Sequence, residues 1–169
     1  MSNVIAINAL VESDKEDVLK LLVESYQQYA SDFSAESWQE YLDGIKQSLD
    51  NPAIDRVLVA KDERKVLGTL QLFTNSEAAY QNTGLGIVDP IIRLLAVSPT
   101  ARGKGIAQAL IKESVDYAKE KGARFLYLHS SDNMSQAIRL YEHLGFKRDE
   151  PNDFHTTDVH VKCFRLELS

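Results

Sequence analysis

The densest cluster of chemically capable residues is Arg102-Gly103-Lys104-Gly105, which follows the apolar run Ile91–Val97 and a Ser98-Pro99 stop. A strand, a glycine turn and a helix start in that order form an anion site. The first helical turn carries unpaired N–H donors and the positive end of the helix dipole, and glycine lets a phosphate approach the backbone. Arg102 and Lys104 gather positive charge at this point in a chain whose formal net charge is −6. Two phosphate-binding patterns are excluded by their residues. A Walker loop needs Ser or Thr after its lysine and a glycine five positions before it, whereas Gly105 follows Lys104 and position 99 is proline. A dinucleotide turn starts acceptably at Gly103 and Gly105 but meets Gln108 where its third glycine belongs.

The elements that must hold this turn can be read along the chain. Val4 to Ile7 is a short β-rich run. Ser13 with Glu16 matches a capping box, and Val18, Leu21, Leu22, Ser25, Tyr26 and Tyr29 then recur at helical steps. Ser34 caps a second predicted helix, striped by Trp38, Tyr41, Leu42, Ile45 and Leu49 and ended by Asn51-Pro52. Val57–Ala60 and Val66–Phe73 flank the polar stretch from Lys61 to Lys65, a hairpin pattern. Residues 74–89, with Asn75, Asn82, Gly84 and Gly86, read as a long polar loop of the kind that is usually functional or mobile. Ile91–Val97 carries one arginine, Arg93, and reads as a central strand covered on both faces. A third helix is predicted from about Gly103 to Lys121, with Ile106, Leu110, Ile111 and Ala118 inward and Gly122 at its C-terminal stop. Phe125–His129 is a strand, and Asn133 with Gln136 caps a fourth helix that Gly145 closes. Phe146-Lys-Arg and Val159–Leu168 supply the last strands. The order β-α-α-β-β-β-α-β-α-β-β describes a single α/β domain over residues 1–169.

Composition bounds what such a domain does. With 169 residues, 44% hydrophobic and 26% charged, the chain falls in the globular class and not the disordered one. The lone Cys163 makes no internal disulfide and no multi-cysteine zinc site, so no metal is expected. Acidic balance argues against nucleic-acid binding through general electrostatics. The N-terminal residues do not read as a secretory signal, and no apolar run approaches the ~20 residues that span a bilayer. A cytoplasmic domain without membrane contact is expected.

Arg102, Gly105 and Ala107 form Arg-x-x-Gly-x-Ala directly after a Val-x-Pro strand end. This resembles the acyl-CoA loop of the Gcn5-related N-acetyltransferase (GNAT) family, Gln or Arg-x-x-Gly-x-Gly or Ala. Ala137-Ile-Arg-Leu-Tyr-Glu-His-Leu-Gly-Phe146 matches the family's Ala-x-x-Leu-Tyr-x-x-x-Gly-Phe helix and strand, downstream of the loop with one strand between, as the family order requires. The resemblance covers nearly the whole chain. It implies a mixed central sheet of about six to seven strands with about four helices, splayed at a cofactor cleft. There acetyl-CoA, as co-substrate, and a primary amine of a small molecule or protein would meet in a ternary complex. The strand at Leu95, Ala96 and Val97 would pair with pantetheine amides, and the N–H groups of Arg102, Gly103, Lys104, Gly105, Ile106 and Ala107 would hold the pyrophosphate. Dimers are common in this family, so a homodimer is compatible with the resemblance.

Tyr141 stands where the family places its general acid, a phenol able to protonate the departing thiolate; as a bare sequence feature it also suits the core, since Ile138, Tyr141 and Leu144 share a helix face. Asn133 resembles a position whose amide contacts the cofactor, alongside its capping role. Many members carry a glutamate as general base where this chain has Ile91. A water chain, a substrate already deprotonated or another residue must serve instead, and His129, Glu77, Asp89 and His155 are the candidate residues. Tyr26, Tyr29, Trp38 and Tyr80 fall on the acceptor wall by the same resemblance, with Trp38 favoured as core and Tyr29 and Tyr80, with His129, as acceptor contacts. Cys163 reads as a buried structural thiol. The acidic balance mildly suits a cationic acceptor such as a polyamine, an aminoglycoside or a protein amine. The rival reading is a non-catalytic acyl-CoA sensor or protein-interaction module, favoured by the missing acid at Ile91.

Overall fold

The computed structural model describes residues 5–63, 65–80, 84–156 and 160–169. Val4, Asn82 and Val159, which enter the expectations for the first strand, the loop and the last strand, lie outside these residues. The elements are β1 (Ile5–Ala9), α1 (Lys15–Tyr26), α2 (Ala35–Gln47), β2 (Arg56–Asp62), β3 (Lys65–Phe73), α3 (Ser76–Tyr80) and β4 (Ile91–Val97). They continue as α4 (Ile106–Glu120), β5 (Phe125–Ser131), α5 (Ser135–His143), β6 (Lys147–Arg148), β7 (Phe154–His155) and β8 (His160–Glu167).

One mixed sheet runs in the order β1-β2-β3-β4-β5-β8-β6, with β7 also paired to β8. Both faces are covered, and strand periodicity sorts the core between them. In β2, Leu58 and Ala60 pack with Leu110 and Tyr117 of α4, while Val57 and Val59 pack with Val18 and Leu22 of α1 and Ile45 of α2. A third cluster joins Phe73, Ile91, Tyr127 and Cys163 to Ala79 of α3.

Two irregularities in β4 open the sheet. Its parallel pairing with β5 covers only Ile91 with Tyr127 and Ile92 with Leu128. Beyond that, β4 continues to Val97 and β5 to Ser131 without pairing to each other, so the two strands splay. On its other edge the register steps from Thr69 opposite Ala96 to Gln71 opposite Arg93. Leu94 and Leu95 therefore face Leu70 alone in a bulge, and Leu94 takes a φ of 51°, rare for a branched side chain.

Several boundaries depart from the sequence expectations. Ser13 does not cap α1; it sits inside a 3-10 turn over Glu12–Asp14, and the N-cap position falls to Asp14, whose carboxylate receives Lys61 Nζ at 2.8 Å. Beyond Tyr26 the chain tightens into a second 3-10 segment, Gln27–Asp32, which carries Tyr29. α4 starts at Ile106 and not at Gly103, because Gly103 and Gly105 take φ of 83° and 75° and spend those residues on the turn. Asn133 does not cap α5: Met134 holds that position, and the Asn133 amide donates to Asp32 Oδ2 at 2.8 Å. The segment 74–89 contains α3, started by Asn75 Oδ1 accepting the Ala78 N–H at 2.8 Å. The described residues thus hold eight strands and five α-helices, one short helix and two very short strands beyond a minimal reading. Ser34 caps α2 as expected, accepting from the Ser37 N–H at 3.1 Å.

Candidate functional site

The splay between β4 and β5 opens a cavity of about 440 Å³ beside the start of α4. Leu95, Ala96, Val97, Arg102, Gly103, Gly105, Ile106 and Ala107 line it, so most of the residues singled out for anion and pantetheine binding share one wall. Lys104 is exposed and, with Asn133, falls outside that wall. The turn is an open backbone cradle. A Cβ built on Gly103 meets nothing within 4 Å, and one on Gly105 meets only Gln108 Oε1 at 3.7 Å. The first-turn N–H groups of α4 lack intrahelical acceptors and face this space with Arg102, a donor set suited to a pyrophosphate.

What brings α4 so close is a residue that sequence reasoning missed. A Cβ on Gly68 of β3 would lie 2.8 Å from Ile106 Cγ2 and 3.1 Å from Leu110 Cδ1. Only glycine lets the helix start sit on the sheet there. A lone glycine inside a strand pattern was the available signal.

Tyr141, on α5, lines the same cavity and is 8% exposed. Its ring packs edge-on against Phe146 at 6.2 Å. Burial, reinforced by the neighbouring Tyr29, pushes its phenol well above the ordinary value, so it stays protonated across the neutral range. Tyr29 also lines the cavity. Tyr26 lines it too, donating from its hydroxyl to the Leu95 carbonyl at 3.1 Å.

Tyr26 and Met134 also border a second cavity of about 420 Å³ on the other side of the splay. Phe33, Tyr41, Tyr80, Arg93, His129 and Phe154 line it, drawn from five separate parts of the chain. Tyr80 and His129 therefore belong to this cavity, apart from the one that holds Tyr141. Trp38 is half-buried and absent from the core clusters: it stacks on Tyr41 at 5.8 Å and tilts against Phe33 at 5.8 Å, and Tyr41 in turn packs against the core under α1 and α2.

The base candidates separate clearly. His129 Nε2 lies 3.0 Å from the Asn152 carbonyl, which can only accept, so that nitrogen carries the proton. The Tyr80 hydroxyl then donates to Nδ1 at 2.9 Å. Burial, the main cause, holds the imidazole below its ordinary 6.5, and both ring nitrogens are engaged. Glu77 lines a different recess, beside Ser76 and Gly86. His155 is exposed and stacks on His160 with centroids 4.4 Å apart. His160 holds Asp153 Oδ2 at 2.7 Å, a structural role, and Asp89 lines none of these cavities. Cys163 is fully buried, and burial pushes its thiol up, as a structural thiol requires. Ile91 is fully buried.

The profile of the acetyltransferase (GNAT) family matches residues 16–146. An uncharacterised N-acetyltransferase of Schizosaccharomyces pombe is 29% identical over 167 residues, 98% of this chain and 96% of that one. N-acetyltransferase 8B of Homo sapiens is 30% identical over 114 residues, 65% of this chain and 48% of that protein, so the matched part is about half of the human relative. Among solved structures, the PaiA N-acetyltransferase of Thermoplasma acidophilum in complex with coenzyme A superposes with a TM-score of 0.71 at 20% identity. That superposition covers 97% of this chain and 99% of the other. A putative GNAT acetyltransferase of Desulfovibrio desulfuricans superposes with a TM-score of 0.70 at 19% identity over 98% of this chain and 100% of that one. Among the described residues no helix is long and apolar enough to cross a membrane.

Proposed function

The chain belongs to the acetyltransferase (GNAT) family, and from that premise we propose that it moves the acetyl group of acetyl-CoA to a primary amine by direct attack in a ternary complex. The single observation that carries the reading is the meeting of two features in one cavity: the open backbone cradle at Gly103 and Gly105, and the buried, protonated Tyr141. The coenzyme A seen on the Thermoplasma relative supports the same ligand for this cradle.

The residues divide the work. N–H groups from Arg102 to Ala107, with the Arg102 side chain, would hold the pyrophosphate, and the β4 edge at Leu95–Val97 would hold the pantetheine arm. The bulge takes the Leu94–Leu95 backbone out of the β3 ladder, which leaves an N–H able to polarise the thioester carbonyl. The acceptor enters from the side of Tyr80 and Phe154. Its nitrogen attacks the carbonyl carbon, forming the C–N bond as the C–S bond breaks. Tyr141 gives its phenolic proton to the departing thiolate, and the proton lost by the nitrogen leaves through water and restores the phenol. Orientation of the two substrates is the larger part of the rate.

With Ile91 at the usual acidic position and both nitrogens of His129 bonded, the attacking species is the acceptor's own free-amine fraction. The pH profile of kcat/KM should then climb toward the amine's own pKa. An inflection near or below 6.5 that disappears in His129→Gln would assign the base to His129 instead. The same two features favour the second reading, an acyl-CoA sensor without transfer. Thiol release from acetyl-CoA across an amine panel, with products identified by mass, separates the two. Turnover of any amine supports transfer, and tight binding with no turnover supports the sensor.

A further inference from the structure

Arg93 stands out as a cation with no anion. It projects from β4 on the face shared with Ile91 and lines the 420 Å³ cavity, half-buried. Its Nη1 donates to the Ala79 carbonyl at 2.8 Å, and its guanidinium lies over the Tyr80 ring, 4.9 Å from the centroid. Its charge reaches the phenols of Tyr26 and Tyr41 as well. Among the described residues no carboxylate lies within 4 Å of it. By contrast, even the exposed Arg148 is paired with Asp153, at 2.6 Å. A guanidinium offers five N–H donors in a planar fork, and a carboxylate is its matching partner. The half-buried rings of Phe33, Tyr41, Tyr80 and Phe154 surround Arg93 and limit its hydration, so a pairing anion gains there over bulk water. The acidic side chain among the lining residues is Glu40, exposed on α2 at the rim.

We propose that the acceptor is a primary amine that also carries a carboxylate, of the amino-acid class with an apolar side chain, and that Arg93 binds the carboxylate. The aromatic walls take the side chain, and the amine is left toward Tyr26 and the splay. This rests on the transfer reading above and narrows it. It reverses the cationic acceptor suggested by the net charge, because the cavity's own floor is positive.

The test compares phenylalanine and leucine with phenethylamine and isoamylamine, which lack only the carboxylate, and with spermidine as a polycation. Thiol release is followed for the natural chain and for Arg93→Gln and Arg93→Lys, with N-acetylphenylalanine binding measured by calorimetry. The expected result is a preference of tenfold or more in kcat/KM for each amino acid over its decarboxylated partner. Arg93→Gln should collapse that ratio toward one, and Arg93→Lys should retain part of it. Equal or better use of the plain amines or spermidine, or a ratio untouched by Arg93→Gln, overturns the assignment while leaving transfer intact. If no amine is turned over, calorimetry decides. Binding of N-acetylphenylalanine that Arg93→Gln abolishes keeps the carboxylate site and overturns transfer; binding that is absent or indifferent to Arg93 overturns the site. Should Arg93→Gln fail to fold, the same ratio in Arg93→Lys, which keeps the charge but loses the fork, must fall.

Discussion

The two cavities on either side of the β4–β5 splay are built in opposite ways. The one beside α4 has as its anion-binding wall a single stretch of chain between Leu95 and Gln108, a strand end, a glycine turn and a helix start, faced by side chains of α1, the 3-10 segment after it and α5. The one beside α3 is made of side chains from five distant segments. Backbone recognition suits a ligand that never changes, because it depends on conformation and not on side-chain identity. A side-chain wall can be re-cut one residue at a time and suits the variable partner.

That contrast makes substitutions on the α4 side the most damaging. Tyr141→Phe should lower kcat about 100-fold with little change in acetyl-CoA affinity, the signature of a lost general acid. Steady-state rates at saturating acetyl-CoA check it, and an unchanged kcat returns Tyr141 to the core. Gly68→Ala comes next. Its methyl would press on Ile106 and Leu110, costing about 2 kcal/mol of stability in urea melts and weakening acetyl-CoA severalfold as the helix start shifts. Gly105→Val should weaken acetyl-CoA about tenfold by calorimetry, since a branched residue strains at a φ of 75° and crowds the cradle. Equal affinity would break the picture of backbone recognition.

The smallest effect belongs to the other side. Burial holds His129 below 6.5 in the folded chain, while the unfolded chain protonates near 6.5. Between those values the unfolded state binds a proton that the folded state does not, so stability falls as pH drops through 6.5. The difference in urea-melt stability between pH 7.5 and 5.5 should shrink in His129→Gln, by no more than the about 1.4 kcal/mol that one imidazole can contribute over that range. A larger slope in the variant than in the natural chain would contradict a neutral His129.

The same contrast governs what the amino-acid order discloses. The anion turn was legible because Arg102, Gly103 and Gly105 are neighbours in sequence and need only a strand before them and a helix after. The α2 cap at Ser34 and the helix stops at Gly122 and Gly145 are local in the same sense. Ser13 and Asn133 misled because each has a local capping geometry that a distant contact or a tighter turn displaces; Asn133 answers to Asp32, 101 residues away. α3 was hidden because five residues give no periodicity, and its Tyr80 is held by His129, 49 residues on. Arg93 was visible as a charge in an apolar strand, yet its surroundings come from elements that no window along the chain contains.

Tyr26 and Met134 belong to the walls of both cavities, and the Tyr26 hydroxyl is tied to the Leu95 carbonyl on the strand between them. Two ligands that share a wall are thermodynamically linked. Whatever factor the first contributes to the affinity of the second, the second returns to the first, since the free energy of the ternary complex does not depend on the order of filling. A shift of Tyr26 on one side is thus a message to the other, and its size can be read from either direction.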